Sequence, residues 1–599
     1  MSNAYASMAN LRFLLFDVHK AQELSDYPAF EEYNRDTIEM LLETSEQIAD
    51  KYLFPVFSEM DKQGVHYEKG EVTVPKEVGD FLRAIGEGGW IGTLCSREVG
   101  GLQMPILLNM SMKFLWEAAN NAITGYAHLT GGAARLIDSF GSEELKSTYL
   151  PKMLSGDWQG TMALTEPQAG SALSYIETSA QPQPDGTYRI KGQKIFISGG
   201  DHDQVGNVIH LMLARIEGAP QGTKGISLFV VPKHRLEEGS LASNDVTTAG
   251  VFHKMGQSAY ATTHLIMGEK DDCYGYLVGA PHNGLAYMFQ MMNEARIGVG
   301  LSATGTATAA YYAALQYCKE RPQGRRLEEK DRTGGQTLII NHPDVRRMLF
   351  QQKAFVEGSL SLLMECARYA DLVDVSEGQA KQHYYLLLEL LTPVVKAYAS
   401  EAGITSISAG VQCLGGYGYC TDFPLQQYYR DIRIMAIYEG TTGIQSQDLL
   451  GRKVTAENGL ALQLFFGELE QAIAKASQDE RLSKAAEQLS DSQGELMSVT
   501  QHLIGYALKG QIELFLADAT LYMELFGLVA VGWQWLKQGT EAAAQLAAQN
   551  ETNDSTFLKS KIKTMEFFFA YELTKVQGLA TRLKEEYPIT IKEEEEYLI

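Results

Sequence analysis

The sequence predicts a mainly α protein with a central β domain, and three observations carry that prediction. Residues 34–160 place apolar side chains at helical spacing. Residues 161–280 switch to short runs rich in Val, Ile and Leu, bounded by Gly, Pro and Asp-Gly turns. From residue 284 the helical period returns and holds to the last segment. Helices and strands are segregated rather than alternating, which disfavours a doubly wound nucleotide-binding sheet. No Gly-x-Gly-x-x-Gly joins a strand to a helix either.

In the first helical region, Ile38, Leu41, Leu42 and Ile48 form the apolar face of a helix over 38–52. Pro55 stops it, because proline lacks the N–H a helix needs. Residues 110–119, 132–140 and 143–154 read as three more helices. In the β region, 188–198 alternates as a strand interrupted by a turn at Gly192, with further strands at 207–216, 225–231 and 263–268. Long helices follow at 296–319 and 345–370, separated by a charged loop at 324–341. The last block carries an apolar stripe of Leu462, Phe465, Phe466, Leu469 and Ile473. It also carries an aromatic patch, Phe567-Phe568-Phe569 with Tyr571, and an acidic run at 593–596 that reads as a solvated terminus. The expected division is an extension at 1–33, a helical domain at 34–160, a β domain at 161–280, a helical domain at 281–455 and a further helical domain at 456–599.

Composition narrows the partners. A chain of 599 residues that is 45% hydrophobic and 21% charged can build packed cores. Its net charge of -23 disfavours nucleic acid or an anionic membrane surface as the main partner, though not an anionic ligand held at a local site. Six scattered cysteines provide neither a disulfide framework nor metal-finger spacing, so a reduced, cytoplasmic setting and no metal are expected. No run approaches the roughly 20 apolar residues of a membrane span, and no signal peptide is evident.

Two segments carry candidate chemistry. The first, Thr161-Met162-Ala163-Leu164-Thr165-Glu166-Pro167-Gln168-Ala169-Gly170-Ser171-Ala172, lies at the join of the helical and β regions. Its small residues and hydroxyls suit a backbone that approaches a ligand closely, and they equally suit a domain linker. The second holds Leu414-Gly415-Gly416-Tyr417-Gly418-Tyr419, Tyr429-Arg430-Asp431, and Ile437-Tyr438-Glu439-Gly440-Thr441. Glu439, flanked by apolar and small residues, reads either as a desolvated general base or as a carboxylate at a helix entry.

Taken together, in this order and spacing, these motifs resemble the acyl-CoA dehydrogenases over about residues 35–455. The resemblance implies that family's helical domain, β-barrel-like domain and four-helix bundle. The N-terminal stretch, His342-Pro343-Asp344-Val345 and the C-terminal block are similar to the long bacterial subgroup that includes 3-methylmercaptopropionyl-CoA dehydrogenases. The implied reaction oxidises an acyl-CoA to the trans-2-enoyl-CoA, Glu439 taking the α-proton and FAD accepting the β-hydride. The backbone N–H of Glu439 and a flavin hydroxyl would hold the thioester oxygen.

By the same resemblance Met162, Leu164, Thr165, Gly170 and Ser171 contact the flavin ring, and Phe196 and Ser198 cover it. Arg321 meets the pyrophosphate and Thr441 lies near the adenosine. Gln412 and Gly416 reach the FAD of a neighbouring subunit, implying a homodimer or a dimer of dimers. Ser171, Arg296, Tyr438 and Gly440 are the expected substrate contacts. In some relatives the base stands on an earlier helix, at a position held here by Ala295. Ala172, Gly443 and Gln323-Gly324 depart from common family residues. The resemblance implies an electron-transfer flavoprotein as electron acceptor. Two alternatives share the motifs: an acyl-CoA oxidase using oxygen, and a flavin-bearing interaction protein that has lost catalysis, against which the intact Glu439-Gly440-Thr441 argues.

Overall fold

The structure, a computed structural model, describes residues 4–328, 335–548, 555–586 and 589–592. The acidic run at 593–596 and part of the charged 324–341 loop lie outside the described residues. The chain forms two compact units, Pro28–Ala295 and the combination of Met1–Tyr27 with Arg296–Ile599.

In the Pro28–Ala295 unit the first long helix is Arg35–Ile48, and Asn34 caps it by accepting from the Thr37 N–H at 3.1 Å. The chain then widens into a π-helical turn, Ala49–Leu53, before Phe54–Val56. Pro55 cannot donate into the ladder, and the wider turn brings the helix to its expected end. Residues 110–119 and 132–140 prove to be parts of one element, Ile106–Phe140, broken at Asn120 (φ -164°, ψ 89°). Polar residues around the break, Asn120, Asn121 and Thr124, are buried. Thr124 donates to Glu117 at 2.9 Å, and Asn120 Nδ2 donates to the Leu53 carbonyl at 3.3 Å. Glu143–Leu154 forms as expected.

A small hairpin, β1 (His66–Glu68) with β2 (Glu71–Thr73), precedes the β domain. That domain contains β3 (Trp158–Ala163), β4 (Ser179–Pro182), β5 (Tyr188–Ser198), β6 (Asn207–Ile216) and β7 (Ile226–Pro232). The hairpin β8 (His234–Glu237) and β9 (Ser240–Ser243) is followed by β10 (Val246–Val251), β11 (Thr262–Met267) and β12 (Tyr274–Leu277). The order is β10-β11-β5-β12-β7-β6-β3, and β4 pairs with both β5 and β6. Strands β5, β12, β7, β6 and β4 therefore close a ring, the barrel-like element that was expected.

Along β6, Ile209, Leu211 and Leu213 point into one core, shared with Ala133, Ile137 and Met153 of the helices. Met212 and Ala214 point into the other, with Ile190, Phe229 and Leu265. The turn expected at Gly192 is absent and β5 runs through it. Glycine is required there because a Cβ would lie 2.5 Å from Thr178 Oγ1.

The other unit is built from long helices: Gly284–Glu320, which begins just before it, then Pro343–Val375 and Gly378–Leu414. Leu460–Ala476, Ser483–Leu508, Ala519–Ala548 and Ser555–Phe567 follow. The predicted stripe buries Leu462, Phe465 and Leu469, with Phe465 stacked on Phe526 at 5.1 Å. The C-terminal helices are packed directly onto the Pro343–Val375 helix. Trp535 donates its indole N–H to the Ala354 carbonyl at 2.8 Å and lies against Gly358, where a Cβ would sit 2.5 Å from the indole nitrogen. The N-terminal segment joins the same core. Phe13, Leu14, Leu15 and Phe16 are buried, His19 pairs with Glu365 at 3.2 Å and bonds Ser361 at 3.0 Å, and Asn10 accepts from Lys561.

Candidate active site

The predicted residues of the β-domain unit lie on two adjacent stretches. Strand β3 takes Met162, and the irregular segment that follows holds Leu164, Thr165, Gly170 and Ser171. The Ile195 N–H donates to the Thr165 carbonyl at 2.9 Å and Lys194 Nζ to the Leu164 carbonyl at 3.0 Å, so this segment runs beside the end of β5 that carries Phe196 and Ser198.

Phe196 combines two unusual properties. Its φ is 58°, a left-handed conformation costly for a bulky residue. It is also 56% exposed, with its ring 4.4 Å from Phe252. The cause is a β-bulge, since the β5–β11 register shifts between Thr263 and Leu265. Phe196 thus turns outward as an apolar platform beside half-buried Ser198 and Thr165 and exposed Ser171. A flat ring system with polar edges fits these residues, as FAD has.

Sequence reasoning missed what holds that segment. Glu166 is buried and its carboxylate accepts from Lys194 at 2.7 Å, the Glu177 N–H at 2.6 Å, the Thr178 N–H at 3.1 Å and Gln168 at 2.9 Å. Burial alone would raise its pKa, but Lys194 and these bonds outweigh that and hold it below the ordinary carboxylate range. Burial lowers Lys194 to about 8, against the pull of Glu166. Glu166 in the quoted motif therefore pins the loop to the sheet.

In the helical unit, Arg321 and Gly416 are exposed, and the Arg321 guanidinium lies 5.8 Å from the Tyr417 ring centre. Tyr417 in turn meets Phe423 edge-on and lies tilted against Tyr317. This aromatic base presents an arginine fork to solvent beside the glycine turn, a donor set that fits phosphate. Gln412 is exposed one turn before Gly416.

Glu439 stands at the centre of the second constellation. Its φ is 53° and that of Gly440 is 85°, so two consecutive left-handed residues form a sharp turn into the helix Thr442–Asp448. A non-glycine residue in this region costs about 1–3 kcal/mol and persists only where its surroundings enforce it. The enforcement is visible. Gln445 donates to the Glu439 carbonyl at 3.0 Å, and Lys396 Nζ donates to the Gly440 carbonyl at 2.6 Å. Thr441 caps the helix by accepting from the Ile444 N–H at 3.3 Å. Thr442 donates to Glu401 at 2.6 Å.

Burial pushes the Glu439 carboxyl above the ordinary carboxylate range, with Lys396 and then Arg296 pulling partly against it. Tyr438 and Gly440 adjoin it, both half-buried. Arg296 is 7% exposed and pairs with Asp448 at 3.1 Å, so a structural ion pair takes part of its donor capacity. Lys396 and Gln445 were missed. The available signal was a lone lysine inside the apolar run Val394-Val395-Lys396-Ala397. Among the described residues no cluster of His, Cys, Asp and Glu could hold a metal, and no helix is long and apolar enough to cross a membrane.

Comparison with known proteins identifies the chain's relatives. The acyl-CoA dehydrogenase N-terminal, middle and C-terminal domain models match residues 35–157, 161–269 and 282–453, and an acetyl-CoA dehydrogenase C-terminal-like model matches 465–589. The chain is 34% identical over 587 residues to the 3-methylmercaptopropionyl-CoA dehydrogenase of Ruegeria pomeroyi, spanning 96% of this chain and 97% of the relative. Among solved structures, Caenorhabditis elegans ACDH-11 in complex with C11-CoA shares the fold with a TM-score of 0.74 at 21% identity, over 100% of this chain and 93% of that one. A chain in the structure of the electron-transferring flavoprotein of Acidaminococcus fermentans matches at TM-score 0.58 and 25% identity, over 70% of this chain and 98% of that one. With four domain models in register and a full-length relative at this identity, the chain belongs to the acyl-CoA dehydrogenase family of FAD-dependent oxidoreductases.

Proposed function

We propose that this protein dehydrogenates an acyl-CoA thioester between Cα and Cβ, with Glu439 as the general base. The observation that carries the assignment is a glutamate whose left-handed backbone turn is held by four side-chain hydrogen bonds, its pKa raised by burial. An α-proton of a thioester is too weakly acidic for a solvated carboxylate. Desolvation strengthens Glu439 as a base, and its own backbone N–H, directed at the thioester oxygen, stabilises the developing enolate. Loss of one such donor typically costs about 10²–10³ in rate. Tyr438 and Gly440 flank the substrate's reacting carbons, with Ser171 and Arg296 as further contacts.

FAD, when bound, supplies the hydride acceptor. Met162, Leu164, Thr165, Gly170 and Ser171 would hold its ring system, with Phe196 and Ser198 over it, and Arg321 and Thr441 would hold the pyrophosphate and adenosine parts. Gln412 and Gly416 would serve the FAD of a neighbouring subunit in a homodimer or a dimer of dimers. An electron-transfer flavoprotein is the proposed acceptor, and the likeness to a chain from such a structure supports it. The division into 1–33, 34–160, 161–280, 281–455 and 456–599 is likewise proposed as the functional one.

The test is anaerobic bleaching of the flavin absorbance by a panel of acyl-CoAs. Substrate-dependent bleaching in the native protein, lost in Glu439→Gln with FAD still bound, is the expected result. Undiminished bleaching in that variant rejects Glu439 as the base, and a protein that binds no FAD rejects the reaction.

A further inference from the structure

Lys396 has no part in the chemistry above, yet its place in the fold is costly. It is fully buried within 391–397, a run in which every residue is buried. An ammonium removed from water costs several kcal/mol unless a partner offsets it. Its nearest hydrogen-bond acceptor is the Gly440 carbonyl, at 2.6 Å. One turn along the same helix, Ser400 donates to the Met435 carbonyl at 3.0 Å, and Glu401 accepts from Thr442 at 2.6 Å. Three side chains of the Gly378–Leu414 helix therefore grip the loop on both sides of Glu439.

The charges around Glu439 make Lys396 distinct. Arg296, from the Gly284–Glu320 helix, is engaged by Asp448, which also meets Arg452 at 3.4 Å. Glu401 is bonded by Thr442 and adds negative charge near Lys396. Of the two cations that act on the Glu439 carboxyl, Lys396 has the larger effect.

We propose that Lys396 is a positioning residue for Glu439: its ammonium fixes the Gly440 carbonyl, which keeps Glu439 in its left-handed turn, and it supplies the positive charge that lets the buried carboxylate stay ionised. This rests on the reading of Glu439 as the base. When Glu439 takes up the substrate proton, the negative charge that Lys396 balances is neutralised.

The test uses the FAD-loaded enzyme with Lys396→Gln, which keeps a donor without charge, Lys396→Met, which keeps neither, and Lys396→Arg, which keeps both. The readouts are the pH profile of anaerobic bleaching, the split between kcat and KM, and hydrogen exchange of the amides in 437–442. Removing an opposite charge raises a carboxyl pKa, so the acid limb should move to higher pH by about one unit or more in Lys396→Gln and Lys396→Met. kcat should fall by about 10- to 100-fold, with KM changed by less than about threefold. Exchange in the loop should rise most in Lys396→Met, and Lys396→Arg should restore the limb towards its native position. A native acid limb in Lys396→Gln overturns the proposal. So does folding that survives only in Lys396→Arg, because the cation would then serve the fold rather than the base. Glu439→Gln separates the two readings: if it still bleaches, the base assignment fails; if it is inert while the Lys396 variants keep native profiles, only the role of Lys396 fails.

Discussion

At residue scale, the proposed base Glu439 has a working range set by burial. It acts only when ionised, and its pKa is raised, so bleaching should fall away as pH drops through a value above the ordinary 4.5 of such a carboxyl. A pH series of the reductive half-reaction checks this, and an acid limb at or below the ordinary value contradicts it. Phe196 offers a second residue-level test. Phe196→Ala removes the apolar platform, and because the ring is largely exposed and alanine keeps the same backbone strain, the fold should be little affected. The FAD-to-protein absorbance ratio after gel filtration should drop several-fold with the melting temperature of the apoprotein unchanged.

The candidacy of Glu439 and Phe196 was legible in the sequence through motif order. Their left-handed conformations were not, because nothing local in Phe196 or Glu439 favours positive φ. In each case tertiary partners impose it: the bulge against β11 for Phe196, and Gln445 and Lys396 for the Glu439 turn.

At element scale, the turn from Glu439 into the Thr442–Asp448 helix depends on Gly440. Its φ is 85°, and a Cβ added there would lie only 2.5 Å from Gln445 Nε2. Gly440→Ala therefore strains the backbone and displaces the residue that holds the Glu439 carbonyl. A cost of about 1–3 kcal/mol confined to the loop should appear as a 10- to 100-fold fall in kcat, with the global melting temperature within a few degrees of native. A kcat within twofold of native would show that the turn tolerates a side chain. The strand at 188–198 could be read from alternation because β5 alternates buried and more exposed side chains, and that at 207–216 from its run of Val, Ile and Leu because β6 is buried on both faces. The Ile106–Phe140 helix could not be read as one element. Its middle is rich in Asn, Thr and Gly, whose polar groups find partners only in the folded core.

At the scale of the whole molecule, the net charge of -23 opposes an anionic substrate. Association with CoA thioesters should speed up as salt screens that repulsion. kcat/KM should rise by about two- to fivefold between roughly 20 and 200 mM NaCl, the reverse of a steered encounter. A steady fall over that range would reveal a local positive funnel strong enough to override the average.

The junction of both ends of the chain in one core has a consequence for synthesis. Lys561 and Gln538, which complete the polar cluster around Asn10 and Glu357, are made more than five hundred residues after Phe13, Leu14, Leu15 and Phe16. Until then the apolar segment lacks its C-terminal partners, while residues 28–295 are free to fold. Expression yield should therefore respond to holdase chaperone supply more than the finished stability would suggest, which a titration of chaperone co-expression checks.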